Sequence, residues 1–90
     1  MRVALICKDK PGHLQTRLDN RAAHLAHIDA SGVVEMAGPF LSPEGQMTGS
    51  LVVLNVDDLK AAKDWAAADP YAKAGLFESV TISEWKKVIG

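Results

Sequence analysis

His24, Asp69, Arg17, Arg21 and Ser50 are the side chains of this sequence whose types together support acid–base chemistry on a small molecule. An unperturbed imidazole titrates near pH 6.5, so His24 has the right chemistry for a general base at neutral pH. Such a base needs a carboxylate to hold its tautomer and to stabilise the imidazolium that forms. Asp69 is the best candidate by pattern. It stands directly before Pro70, which also makes it an ordinary helix cap, and a capping carboxylate has a second oxygen to spare. Arg21 and Arg17 would neutralise an anionic oxygen of a bound molecule, and Ser50 would donate a hydrogen bond to it. His27 follows His24 by three residues, but no third ligand has a recognisable spacing, so no metal site is expected. The sequence has no phosphate-binding glycine loop and no G-x-S-x-G nucleophile motif.

These residues must be carried by regular elements, and the apolar pattern suggests which. Arg2 to Lys8 is apolar on both faces and reads as a central strand, closed by Pro11-Gly12. A helix is expected from about His13 to Ala30, with Gly32 at its C-terminal turn. Val33 to Phe40 is a second strand, and Ser42-Pro43-Glu44-Gly45 is turn chemistry. Thr48 to Val56 is a third strand, again apolar on both faces. Asp57 is placed to cap a second helix, Asp58 to Ala68, burying Leu59, Ala62, Trp65 and Ala66. Asp69-Pro70 restarts a short turn ended by Gly75. The last strand runs from Phe77 to Trp85 with Val80 and Ile82 inward, and Lys86 to Gly90 is expected to extend it.

The first helix carries most of the candidate residues. At about 100° per residue, Leu14, Leu18, Leu25 and Ile28 form its apolar stripe. Arg21 falls within the stripe, while Arg17 and His24 lie on its shoulder. A charge in a core-facing stripe has to be paired, to snorkel to the surface or to face a wet cavity. A polar pocket between this helix and the sheet is the functional reading.

The order β-α-β-β-α-β is the ferredoxin-like α+β arrangement, an antiparallel sheet with two helices on one face. A chain of 90 residues is one domain, residues 1–90, with little surface to spare for a self-sufficient core. Strands apolar on both faces then leave one sheet face uncovered, and a second copy of the chain is the simplest cover. Homodimerisation through the sheet faces follows as an expectation.

Composition removes other classes. The formal net charge is −1 and no basic run exceeds Lys86-Lys87, so there is no electrostatic footprint for nucleic acid. No window approaches the ~20 apolar residues of a membrane span. The lone Cys7, in an apolar run, reads as a core residue and fits a reducing, cytoplasmic setting. No secretory leader is expected before the first strand.

Several segments also resemble the YciI-like family: Arg21-Ala22-Ala23-His24-Leu25, Gly32 through Phe40 with Ala37-Gly38-Pro39, Gly49-Ser50, and Trp65 through Tyr71 with Asp69-Pro70-Tyr71, followed by Gly75. They occur in the family's order over nearly the whole chain. The resemblance implies a ferredoxin-like dimer of the dimeric α+β barrel kind and a His–Asp pair proposed as an active site, here His24 and Asp69. It also implies, by analogy with a relative acting on a chlorinated hydroxyhydroquinone and with muconolactone isomerase in the wider fold, aromatic or lactone substrates. The expected function is proton transfer or elimination on a small cyclic or aromatic anion, a lyase or isomerase type of reaction that requires no cofactor. A non-catalytic small-molecule-binding or accessory module is the alternative.

Overall fold

The structure is a computed structural model that describes all residues, Met1–Gly90. Its elements are β1 (Arg2–Asp9), α1 (Leu14–Ser31), β2 (Val34–Leu41), β3 (Met47–Asn55), α2 (Leu59–Ala68), the single turn α3 (Pro70–Lys73) and β4 (Phe77–Glu84). The strands form one antiparallel sheet in the order β2-β3-β1-β4, with β1 and β3 central. This is the ferredoxin-like α+β fold. The hairpin between β2 and β3 is closed by Gly45 at φ 83°, whose N–H donates to the Ser42 carbonyl at 2.9 Å. Gly32 ends α1 in the left-handed conformation that a residue without Cβ adopts at least cost.

Alternation along β1 sends Val3, Leu5 and Cys7 to the helix side, where they meet Val52 and Leu54 of β3 and Ala62 and Trp65 of α2. Val52, Val53 and Leu54 are buried in succession, as expected of a strand with apolar neighbours on both faces. α2 is tied to the end of α1 by Trp65, whose indole N–H donates to the Ser31 hydroxyl at 2.9 Å. The opposite sheet face has no helix. It presents Ile6, Met36 and Phe40, each 42–48% exposed, around Leu51.

Local expectations shift in several places. The α2 cap is Asp58 rather than Asp57: the Asp58 carboxylate accepts from the Ala61 N–H at 2.8 Å. Leu59 then falls at the first residue of the helix and is exposed. Val80 lies on the helix-side register, opposite Cys7, but β4 is an edge strand and leaves it half uncovered. The strand stops at Glu84, so Lys86 to Gly90 does not extend the sheet. The largest shift is in α1. Its fully buried residues are Arg17 and His24, whereas Leu18, Arg21 and Leu25 are exposed. The helix is rotated so that its polar shoulder, not the centre of its leucine stripe, faces inward.

Gly49 is the tightest point of the central strands. A Cβ there would overlap the Cys7 carbonyl oxygen of β1, a backbone atom that cannot swing away. Gly49→Ala is therefore expected to destabilise the fold by about 1–3 kcal/mol, the usual range for overpacking. Urea unfolding followed by circular dichroism measures it, and an unchanged midpoint would mean that the two strands can separate freely at this point.

Candidate active site

The rotation of α1 is explained by what lies beneath it. The alternation that buries Val3, Leu5 and Cys7 continues to Asp9, so a carboxylate ends β1 on the helix side. Arg17 answers it with two parallel bonds, Nε to Oδ2 at 2.7 Å and Nη2 to Oδ1 at 2.8 Å. Both side chains are less than a tenth exposed. Such a fork-on-carboxylate pair is the geometry in which a buried arginine is most strongly held. Burial by itself would make the Arg17 guanidinium easier to deprotonate, but the Asp9 carboxylate outweighs it and holds the group above its ordinary range.

Arg17 Nη2 also donates to the Ser50 hydroxyl oxygen at 2.9 Å. With that oxygen accepting, the Ser50 hydrogen is left to point elsewhere. Ser50 sits opposite Pro39 of β2 and lines a cavity with it.

His24, two turns along α1, is buried beside Asp69. Its Nδ1 lies 2.8 Å from Asp69 Oδ1. A carboxylate only accepts, so Nδ1 carries the proton and the neutral ring has a bare Nε2. Asp69 is at the same time the cap of α3, accepting the Tyr71 backbone N–H at 3.0 Å. Capping and imidazole contact were expected to divide between the two carboxylate oxygens. They converge on one, Oδ1.

No buried side-chain nitrogen or oxygen lacks a hydrogen-bond partner. His24 Nε2 has no protein partner, so it is not sealed, and His24 is one of the residues that line a cavity. The cavity is about 140 Å³ and is lined by Arg17, Arg21, His24, Ser50, Pro39 and Tyr71, with Leu25, Ile28, Met47 and Val52 among its apolar walls. A dry cavity of about 150 Å³ accepts one benzene ring, so this is space for a single small ring. Arg21 is exposed and makes no ion pair, so its charge stands uncompensated at the cavity's rim.

All five residues singled out from the sequence thus line this cavity or lie directly behind it. Their parts differ from the helix-wheel reading: Arg17 is the buried, neutralised arginine and Arg21 the free one. His27 does not converge with His24. Its Nε2–H donates to the Trp65 carbonyl at 3.2 Å and its ring lies against the Trp65 indole. Two further residues belong to the site. Asp9 was legible as the next inward position after Cys7. Tyr71, whose ring stacks on that of His24 at 3.9 Å, had no signal beyond its place after Asp69-Pro70. Burial raises the Tyr71 hydroxyl above the usual phenol range, partly offset by Arg17 and Arg21, so it is neutral. Burial, reinforced by Asp69, pushes the Cys7 thiol up to about 12, which leaves it no thiolate character at neutral pH.

A model of the YCII-related domain matches residues 1–86. The chain belongs to that family. Protein YciI of Escherichia coli is 36% identical over 97 aligned residues, covering 98% of this chain and 99% of the relative. An uncharacterised protein of Haemophilus influenzae is 37% identical with the same coverage. Among solved structures, the 5-chloro-2-hydroxyhydroquinone dehydrochlorinase of Burkholderia phenoliruptrix, in complex with 2,5-dihydroxybenzoquinone, superposes with a TM-score of 0.89 at 34% identity over 96% of this chain and 94% of that one. An antibiotic biosynthesis monooxygenase superposes with a TM-score of 0.61 at 11% identity, a likeness of fold alone.

The Asp9–Arg17 pair yields a stability prediction. Asp9→Asn leaves a buried guanidinium without its counter-charge and is expected to cost about 3–5 kcal/mol of unfolding free energy. Asp9→Leu combined with Arg17→Met removes both charges and should recover much of that loss. Denaturant titration of wild type, Asp9→Asn, Asp9→Leu, Arg17→Met and the double variant checks it, and a double-variant loss equal to the sum of the Asp9→Leu and Arg17→Met losses would show that the two residues are not coupled.

Proposed function

We propose that this protein is an enzyme that moves a proton on a small cyclic or aromatic anion, with His24 as general base and Asp69 as its orienting carboxylate. One observation carries the reading: an imidazole whose Nδ1 lies 2.8 Å from a buried carboxylate, on a residue that lines a ring-sized cavity. In the reaction, a C–H or O–H bond of the substrate breaks and its proton goes to Nε2. The electron pair stays on the substrate. It either rests on an oxygen as an enolate or phenolate, or expels an anionic leaving group with its own bonding pair. Asp69 stabilises the imidazolium formed. The Ser50 hydroxyl, polarised through Arg17, donates to the oxygen that gains charge, and the free Arg21 guanidinium supplies the counter-charge. The scheme uses the chain's own groups only.

The family and the dehydrochlorinase relative support this choice of substrate class. A ligand like 2,5-dihydroxybenzoquinone is one flat ring bearing oxygens on opposite sides, and it matches a cavity with Ser50 and Arg21 as donors. The test is turnover of halogenated hydroxyquinols and of five- and six-membered lactones by wild type, His24→Ala and Asp69→Ala. The expected loss for His24→Ala is about 10²–10⁴-fold in kcat, the usual contribution of a positioned base. A verified substrate turned over equally well by His24→Ala overturns the reading.

The proposed working unit is a homodimer joined through the open sheet faces. Ile6, Met36, Leu51 and Phe40 make a contiguous apolar surface on the side without helices, and a chain of this length has little other core to draw on. Sedimentation equilibrium should give twice the chain mass, falling to the monomer in Ile6→Lys. A monomeric wild type at micromolar concentration would contradict this.

A further inference from the structure

We propose that Tyr71 is a positioning residue for His24: its ring, not its hydroxyl, fixes the plane of the imidazole and thereby the direction in which Nε2 faces the cavity. This rests on the reading of His24 as the base, which it deepens.

One hydrogen bond does not orient a ring. The Nδ1–Asp69 contact fixes one edge of the imidazole, but it leaves the ring free to tilt about that edge. The face of the ring is held separately. The Tyr71 and His24 centroids are 3.9 Å apart with their planes 15° from parallel. Parallel stacking at that distance resists tilt from one side over the whole face.

The two restraints come from one short segment. Asp69 Oδ1 takes the His24 Nδ1–H at 2.8 Å and the backbone N–H of Tyr71 at 3.0 Å. Pro70 lies between them as the first residue of α3, its ring fixing φ. The carboxylate that holds the edge and the ring that holds the face are therefore rigidly linked through two peptide units.

Tyr71 is itself immobilised. It is 2% exposed. Phe77 of β4 meets its ring at 83° and 6.0 Å, and the Arg17 guanidinium carbon stands 4.7 Å from its centroid. Arg17 is in turn anchored by Asp9. The Tyr71 hydroxyl, by contrast, is turned toward the Arg17 guanidinium rather than toward His24, and the residue lines the cavity. Ring and hydroxyl have separable parts: the contact with His24 is made by the ring, and the positioning part needs only the ring.

Nuclear magnetic resonance of the ¹⁵N-labelled full chain tests this without any substrate. The probe is the exchange lifetime of the His24 Nδ1 proton in wild type, Tyr71→Phe, Tyr71→Leu and Tyr71→Met. The expected result is an unchanged lifetime in Tyr71→Phe and a lifetime at least about tenfold shorter in the leucine and methionine variants, which fill the site without a ring and whose dispersed amide spectra verify the fold. If the leucine variant unfolds, the methionine variant gives the same readout. A wild-type lifetime in the ringless variants overturns the proposal, and so does its loss in Tyr71→Phe. Because no turnover is measured, this outcome is independent of the His24→Ala assay. On a substrate that passes that assay, the ringless variants should lose at least about tenfold in kcat with KM nearly unchanged, and Tyr71→Phe should lose markedly less than they do.

Discussion

A carboxylate that is 2% exposed has to be answered by donors, and the site is organised around how Asp69 is answered. Two N–H groups converge on a single oxygen, one from the backbone at the start of α3 and one from an imidazole on α1. That convergence ties together elements 45 residues apart in sequence. It also shares with the Asp9–Arg17 pair in setting the rotation of α1. With His24 drawn in toward Asp69, Arg17, seven residues earlier on the same side of the helix, is drawn in as well. A buried arginine then demands its own counter-charge, which Asp9 supplies from the end of β1. The leucines expected to lead the helix into the core are rolled outward in consequence.

The same constraint separates two arginines that look alike in the sequence. Arg17 has its charge cancelled and serves to fix Ser50 and to bear on the Tyr71 ring. Arg21, one turn later, has no carboxylate partner and keeps its charge available at the cavity rim. In the proposed reaction, recognition of the anion falls to the exposed arginine, and alignment of the hydroxyl donor to the buried one.

Much of this was readable beforehand because it depends on short-range rules. The order of elements along the chain, the Asp69 cap before Pro70 and the two-faced β1 and β3 follow from alternation and turn chemistry. The family segments around His24 and Asp69 named the pair. The helix wheel misjudged α1 because it weighs side chains by hydropathy alone, while the pairing partners of Arg17 and His24 lie on other elements. Asp9 shows the remedy. Counting by twos from Val3, Leu5 and Cys7 lands on a carboxylate facing the helix, and a charge in that position calls for a cation above it. Tyr71 was harder, since aromatic stacking across three elements leaves no periodicity behind. The one-residue shift of the α2 cap from Asp57 to Asp58 reflects two adjacent residues with equal capping chemistry.

The measurement that bears most directly on the site is the tautomer of His24, read from long-range ¹H–¹⁵N correlations at a pH where the ring is neutral. A base held as described carries its proton on Nδ1 and none on Nε2, and it loses that preference in Asp69→Ala. A neutral ring protonated on Nε2 in the wild type, with the same pattern in Asp69→Ala, would mean that Asp69 only caps α3 and that His24 offers the cavity no free lone pair.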